Sequence, residues 1–212
     1  MANDASEVDT KVDSLREGGR EALANLFQNE RHRLRRLVEL RLDSRLQGRV
    51  DASDVLQEAF LDATSRLDAY LKRNDLPVFL WLRLVVCERL AIVHRRNLGA
   101  KMRDAGQEVS LYRQPLPQAS SAALASMLLG RLTSPSSAAI RAEQVIRVQE
   151  ALNALDSLDR EVLALRHFEQ LSRAETARAL GITEEAGAKR YLRAMRRLKS
   201  VLEVMQDRLE EI

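Results

Sequence analysis

Lys189, Arg190, Arg193, Arg196, Arg197 and Lys199 crowd the segment ITEEAGAKRYLRAMRRLK, 182–199, with no acid between Glu185 and Glu203. Cations without interleaved acids suit a polyanion, because each phosphate they neutralise releases bound counterions. A helix that only faces solvent usually mixes its signs, since Glu–Lys pairs four residues apart support it. Ile182, Tyr191, Met195, Leu198 and Leu202 are spaced for a single apolar helical face. One side of the segment would therefore pack while the others carry charge. The segment alone fits a nucleic-acid reader and a solvated helix equally well.

Residues suited to covalent chemistry are few. His32, His94 and His167 lie far apart with no H-x-x-x-H spacing, and Cys87 is the only cysteine. No G-x-x-x-x-G-K-[ST] or G-x-S-x-G motif is present. These observations point to a binding protein, not an enzyme, with no metal and no cofactor. A single cysteine excludes an intrachain disulfide. The opening MANDASEVDT is polar and acidic, unlike a signal peptide. The most apolar run, LPVFLWLRLVVC, is too short to span a bilayer and is interrupted by Arg83. The expectation is a cytoplasmic protein with no membrane partner.

The elements that must position the basic segment are helical. Of 212 residues only 4% are aromatic and eight are glycine, so Leu, Ala, Arg and Glu set the pattern of an all-α protein. Net charge is only +3, so any nucleic-acid surface has to be a local concentration. Residues 1–10 read as a loose tail. Helical pattern runs from Val12 to Leu46, broken at EGGRE, 17–21, by paired glycines. Asp51 or Ser53 can cap a helix lined by Leu56, Ala59, Phe60, Ala63 and Leu67. Pro77 disfavours helix at Leu76, so KRNDLP is a loop before the helix VFLWLRLVVCERLAIVHRRN. Residues 104–139 hold three of the four prolines and read as an interdomain linker, with a short helix at 121–129. The organisation expected is two small helical domains, 12–100 and 140–205, joined by a linker over 101–139.

Residues 155–199 read as one helix followed by a helix-turn-helix. Ser172 and Glu175 form an S-x-x-E capping box, and Ala177 faces inward where a larger side chain would part the helices. Gly181 suits the left-handed end of the first helix. Thr183 caps the second, whose early Glu184 and Glu185 favour the positive end of the helix dipole. Such a second helix enters the major groove with its early residues nearest the base edges.

This stretch resembles region 4 of extracytoplasmic-function sigma factors, the specificity subunits of bacterial RNA polymerase. The resemblance rests on Arg160-Glu161-Val162-Leu163, Leu165-Arg166, Glu175-Thr176-Ala177, Leu180-Gly181-Ile182, Arg190 and Arg193-Ala194. It departs at Ala186-Gly187-Ala188-Lys189, where T-V-K-S is common, so the family's promoter preference does not transfer. The resemblance implies that Glu185, Ala188, Lys189, Arg190, Arg193 and Arg197 contact the −35 element.

DASDVLQEAFLDA, 51–63, resembles the segment of sigma region 2 that docks on the clamp helices of the polymerase β′ subunit. Asp54, Gln57, Glu58 and Leu61 fall at i, i+3, i+4 and i+7, a continuous helical face. Gly19-Arg20-Glu21-Ala22 and Leu26 hold places of the family's opening segment, and Trp81, Leu82 and Arg95-Arg96 match its −10 reader. Glu88 and Ile92 replace the usual Asn and Asp. The resemblance implies −10 contacts from Arg83, Arg89, Arg95 and Arg96 to phosphates, and from Asn74 to an unstacked base. A turn-forming role is equally open to Asn74, and Trp81 suits a core position better than a base-stacking one. The implied partners are core RNA polymerase through the β′ clamp helices and β flap, promoter DNA, and an anti-sigma factor. The rival readings are a stand-alone helix-turn-helix regulator, which has no use for the Asp54–Leu61 face, and a helical adaptor that binds no DNA.

Overall fold

The computed structural model describes residues 2–73, 75–98, 117–132 and 138–210, and every regular element among them is helical. The chain divides into two compact units, Met1–Pro117 and Gln118–Ile212.

The first unit packs three helices pairwise: α1 (Ala2–Arg41), α2 (Ala52–Arg73) and α3 (Val78–Leu98). Helix begins at Ala2, so the loose tail expected over residues 1–10 is corrected. Val12 and Leu15, just beyond it, are already in the core. The break expected at 17–21 falls on Gly19, whose φ of 51° and ψ of −126° kink α1 into two helical segments. A side chain is poorly tolerated in that backbone region. Leu23, Leu34 and Leu37 of α1, Leu56 and Ala63 of α2, and Leu82, Val86 and Leu90 of α3 form the core. Each fully buried leucine contributes roughly 1.5–3 kcal/mol.

Asp51, not Ser53, starts α2: its carboxylate accepts the Ser53 N–H at 2.6 Å. The α2–α3 connection is fixed by Tyr70, which stacks on Trp81 at 4.2 Å and donates its hydroxyl to the Leu76 carbonyl at 2.8 Å. Burial pushes the Tyr70 phenol up to about 12, so it remains a donor at any physiological pH. Trp81 is thereby a core residue, 7% exposed. Beyond the end of α1, the short turn Ser44–Leu46 is tied to α3 by His94, whose Nε2 accepts the Asp43 N–H at 3.2 Å.

The second unit contains α4 (Ser121–Leu132), α5 (Ala138–Asn153), α6 (Ser157–Leu163), α7 (Arg173–Leu180) and α8 (Glu184–Glu210). It begins at Gln118 and not at 140, because α4 packs on α5 and buries Leu124, Ala125, Leu128 and Leu129. Polar contacts secure its start. Ala119 donates its N–H to Glu161 at 3.1 Å, and Arg160 donates to the Ser121 hydroxyl at 2.8 Å. The apolar residues read as part of a linker therefore belong to this unit's core, while Val109–Tyr112 lie outside the described residues. Helix α6 runs into a π-helical turn, Ala164–Phe168, which ends at Gln170 with a φ of 58°. Both α6 and α7 pack against α8.

Candidate functional site

In the second unit, local capping builds the helix-turn-helix. The Ser172 hydroxyl accepts the Glu175 N–H at 3.1 Å, and the Glu175 carboxylate accepts the Ser172 N–H at 2.7 Å. This reciprocal box satisfies two donors that the start of α7 would otherwise leave open. Gly181 ends α7 at a φ of 65°, and the N–H groups of Gly181 and Ile182 return to the carbonyls of Arg178 and Ala177. Thr183 then caps α8 by accepting the Ala186 N–H at 3.1 Å. Ala177 is buried at the helix crossing. The sequence features that define this motif are all short-range, and each is found in place.

Helix α8 has a packed face and a charged one. Ala194 and Leu198 are buried, whereas Arg193, Arg196, Arg197, Lys189 and Glu185 are exposed. Lys189 reaches Glu185 one turn back at 2.6 Å, a solvent-exposed pair of little energetic weight. Ala188 is half-buried. Gly187 is buried, and a Cβ there would meet Ile182 Cδ1 at 3.7 Å, an ordinary contact, so packing does not require glycine at that position.

Arg190 is less available than a groove-facing cation would be. Its Nη1 donates to Asp159 Oδ1 at 2.6 Å and to Asp156 Oδ1 at 3.2 Å. The Asp159 carboxylate raises the guanidinium pKa further. Arg193 approaches the other Asp159 oxygen at 3.4 Å. Both aspartates lie at the start of the helix that precedes the helix-turn-helix pair, where neither has a role in the pair's capping pattern. A signal for Asp159 exists all the same: Asp159, Val162 and Leu163 share the buried face of α6, and an acid in an apolar stripe requires a cationic partner.

In the first unit, Asp54, Gln57, Glu58 and Leu61 are all exposed on α2, and Leu61 is 60% exposed. They form an acidic and polar surface with one apolar residue. Glu58 is paired across the helices to Arg89 at 3.1 Å, and Arg89 Nε donates to Asp62 at 2.8 Å. Arg66 of α2 pairs likewise with Glu88 of α3. Arg89 is therefore corrected from a free phosphate contact to a link between α2 and α3. Arg83 is corrected as well: it is 5% exposed, on the stripe Phe79–Arg83–Val86–Leu90, and presents no cation to solvent. Arg95 and Arg96 are exposed in the last turn of α3, where positive charge also suits the helix dipole. Asn74 lies outside the described residues.

The histidines do not converge. His32 is exposed, His94 is buried and serves as an acceptor, and His167 packs its ring edge-on against Phe168. Among the described residues no group of three His, Cys, Asp or Glu side chains is placed to hold a metal ion. No helix among them is long and apolar enough to cross a membrane.

Comparison with known proteins agrees with this geometry. The family model for sigma-70 region 4 matches residues 146–198, from α5 through the charged part of α8. ECF RNA polymerase sigma factor SigD from Mycobacterium bovis and that from Mycobacterium tuberculosis are each 28% identical to the chain over 207 residues, covering 98% of it and 89% of the relative. The solved structure of CnrH in complex with the cytosolic domain of CnrY is similar in fold, with a TM-score of 0.53 at 20% identity, over 92% of this chain and 96% of that one. A capped helix-turn-helix inside a stretch that matches sigma-70 region 4, within a chain aligned almost end to end with such factors, makes the protein similar to RNA polymerase sigma factors of the extracytoplasmic-function type.

Proposed function

We propose that the protein is an RNA polymerase sigma factor of the extracytoplasmic-function type that divides promoter recognition between its two units. The Asp54–Gln57–Glu58–Leu61 face of α2 docks on the β′ clamp helices of core polymerase. Arg95 and Arg96 at the end of α3 contact the −10 phosphates, and Asn74 and the loop around it receive an unstacked base. Helix α8 reads the −35 duplex through Lys189, Arg193 and Arg197, with Glu185 and Ala188 at its early, base-proximal end, and region 4 rests on the β flap. Each module binds weakly alone, so affinity comes from the effective concentration that the tether between them supplies. The work is recognition and strand capture in the cytoplasm, not catalysis. An anti-sigma protein is a further expected partner, since the structurally similar CnrH was solved with the cytosolic domain of CnrY.

The observation that carries this reading is the exposure of the whole Asp54–Leu61 face in a chain that also holds a fully capped helix-turn-helix. A stand-alone regulator needs only the second of these. Selection of promoter fragments from a randomised pool by reconstituted holoenzyme, followed by run-off transcription, tests it. Initiation should depend on this chain and on both a −10 and a −35 element. Binding of the selected duplex with equal affinity in the absence of core polymerase, and no run-off product, would favour the stand-alone regulator.

A further inference from the structure

The charged helix α8 is held by a carboxylate it does not carry. Asp159 lies on α6 and is 1% exposed. A buried, unpaired carboxylate is strongly destabilising, so its burial marks a cation required beside it. Two cations answer. Arg190 Nη1 donates to Oδ1 at 2.6 Å and Arg193 Nη1 approaches Oδ2 at 3.4 Å. Asp156 reinforces the first contact at 3.2 Å, and its side chain also caps α6 by accepting the Leu158 N–H at 2.9 Å. One buried charge thus faces two guanidinium groups, of which Arg193 carries its charge to the surface.

Arg190 and Arg193 are three residues apart and share a helical face. A guanidinium is a rigid plane with five donors, and these contacts engage only Nη1 of each. Arg193 remains 65% exposed, so its other donors are open to a ligand. We infer that Asp159 is a positioning residue for duplex recognition: it sets the roll of α8 and the planes of Arg190 and Arg193 before DNA arrives. Ordering flexible cations in advance reduces the entropy lost on binding, and fixed planes favour one base edge over another. The inference rests on the reading of α8 as the −35 helix.

The test uses the full chain with core polymerase and two probes: the duplex that wild-type holoenzyme selects from a randomised pool, and a scrambled duplex of equal length. Affinity for each is measured across a KCl series. Asp159→Asn removes the charge and nearly keeps the shape. Discrimination between the probes should fall about tenfold, within what one well-aimed guanidinium carries. The salt slope should steepen by up to about 0.9, as one more phosphate is neutralised. Asp159→Glu keeps the charge and displaces it by one methylene, so discrimination should fall with the slope unchanged. Equal weakening of affinity for both probes in Asp159→Asn, or wild-type discrimination in Asp159→Glu, overturns the inference.

A measurement on the unaltered chain guards against variants that fail to fold. Side-chain 15N spectra should show hindered guanidinium rotation for Arg190 and Arg193, and freely averaged signals from both overturn the inference. Lys189→Ala, Arg193→Ala and Arg197→Ala together separate the two failures. If this triple variant binds both probes as wild type does, the −35 reading falls. If it loses discrimination while Asp159→Glu keeps it, only the positioning role falls.

Discussion

Helices α3 and α8 are both rich in arginine, but α3 directs Arg83 and Arg89 into the protein while α8 leaves Arg193, Arg196 and Arg197 in solvent. The difference lies in the neighbours. Helix α3 is apolar around most of its circumference, and α2 presents Asp62 and Glu58 to Arg89. Helix α8 separates its apolar and charged faces, and the start of α6 presents Asp156 and Asp159 to it at one level of the helix. A count of basic residues therefore does not locate a nucleic-acid surface. The acids on the packed neighbour decide which cations remain for a partner.

The largest effect expected from breaking this contrast is on DNA. Replacing Lys189, Arg193 and Arg197 together by Ala should weaken promoter binding by holoenzyme strongly. The salt slope should drop by about 0.9 for each phosphate that is no longer neutralised. Their exposure means thermal stability should change little. Arg89→Ala should behave oppositely. It removes hydrogen bonds to Asp62 and Glu58 and should destabilise the first unit by about 1–2 kcal/mol. The salt slope should stay as in the wild type, and a denaturant melt paired with a salt titration separates the two outcomes.

A smaller effect is expected at His94. Its Nε2 accepts a hydrogen bond only when unprotonated, and burial lowers its pKa, with Asp43 opposing and Arg45 adding to the shift. The unfolded chain takes up that proton near pH ~6.5, before the folded one does. This contribution to stability is therefore complete above that pH and declines as pH falls toward the lower folded value. Melts from pH ~7.5 downward should show this decline, and His94→Gln should flatten it. The smallest effect is a gain. Gly187→Ala places a methyl at ordinary contact distance from Ile182 and should stabilise the second unit by up to roughly 1 kcal/mol in a thermal melt.

The parts of this architecture legible in sequence are those fixed by neighbours in the chain. Ser172 with Glu175, Gly181, Thr183 and the Gly19 break each act within a few residues, so their types and spacing are sufficient. Features set by distant residues are hidden. Helix α4 reads as linker because its partners, Arg160, Glu161 and α5, come later in the chain. Arg83 and Arg190 read as DNA contacts because charge is visible in sequence while burial and pairing are not. The helix from Ala2 is obscured because its acidic start reads as solvated, whereas acids in a first helical turn also favour the dipole.

The division of labour between the two units is tested most directly by titrating fluorescently labelled full-length chain with core polymerase. Three proteins are compared: wild type, the Asp54→Lys, Glu58→Lys double variant, and the Lys189, Arg193, Arg197→Ala variant. The double variant alters exposed residues, and the Glu58–Arg89 pair it breaks is worth at most about 1 kcal/mol, so the fold should persist by circular dichroism. Wild type and the α8 variant should bind core polymerase alike, and the α2 variant should not bind. Wild-type affinity in a folded α2 variant would contradict the assignment of that face to polymerase.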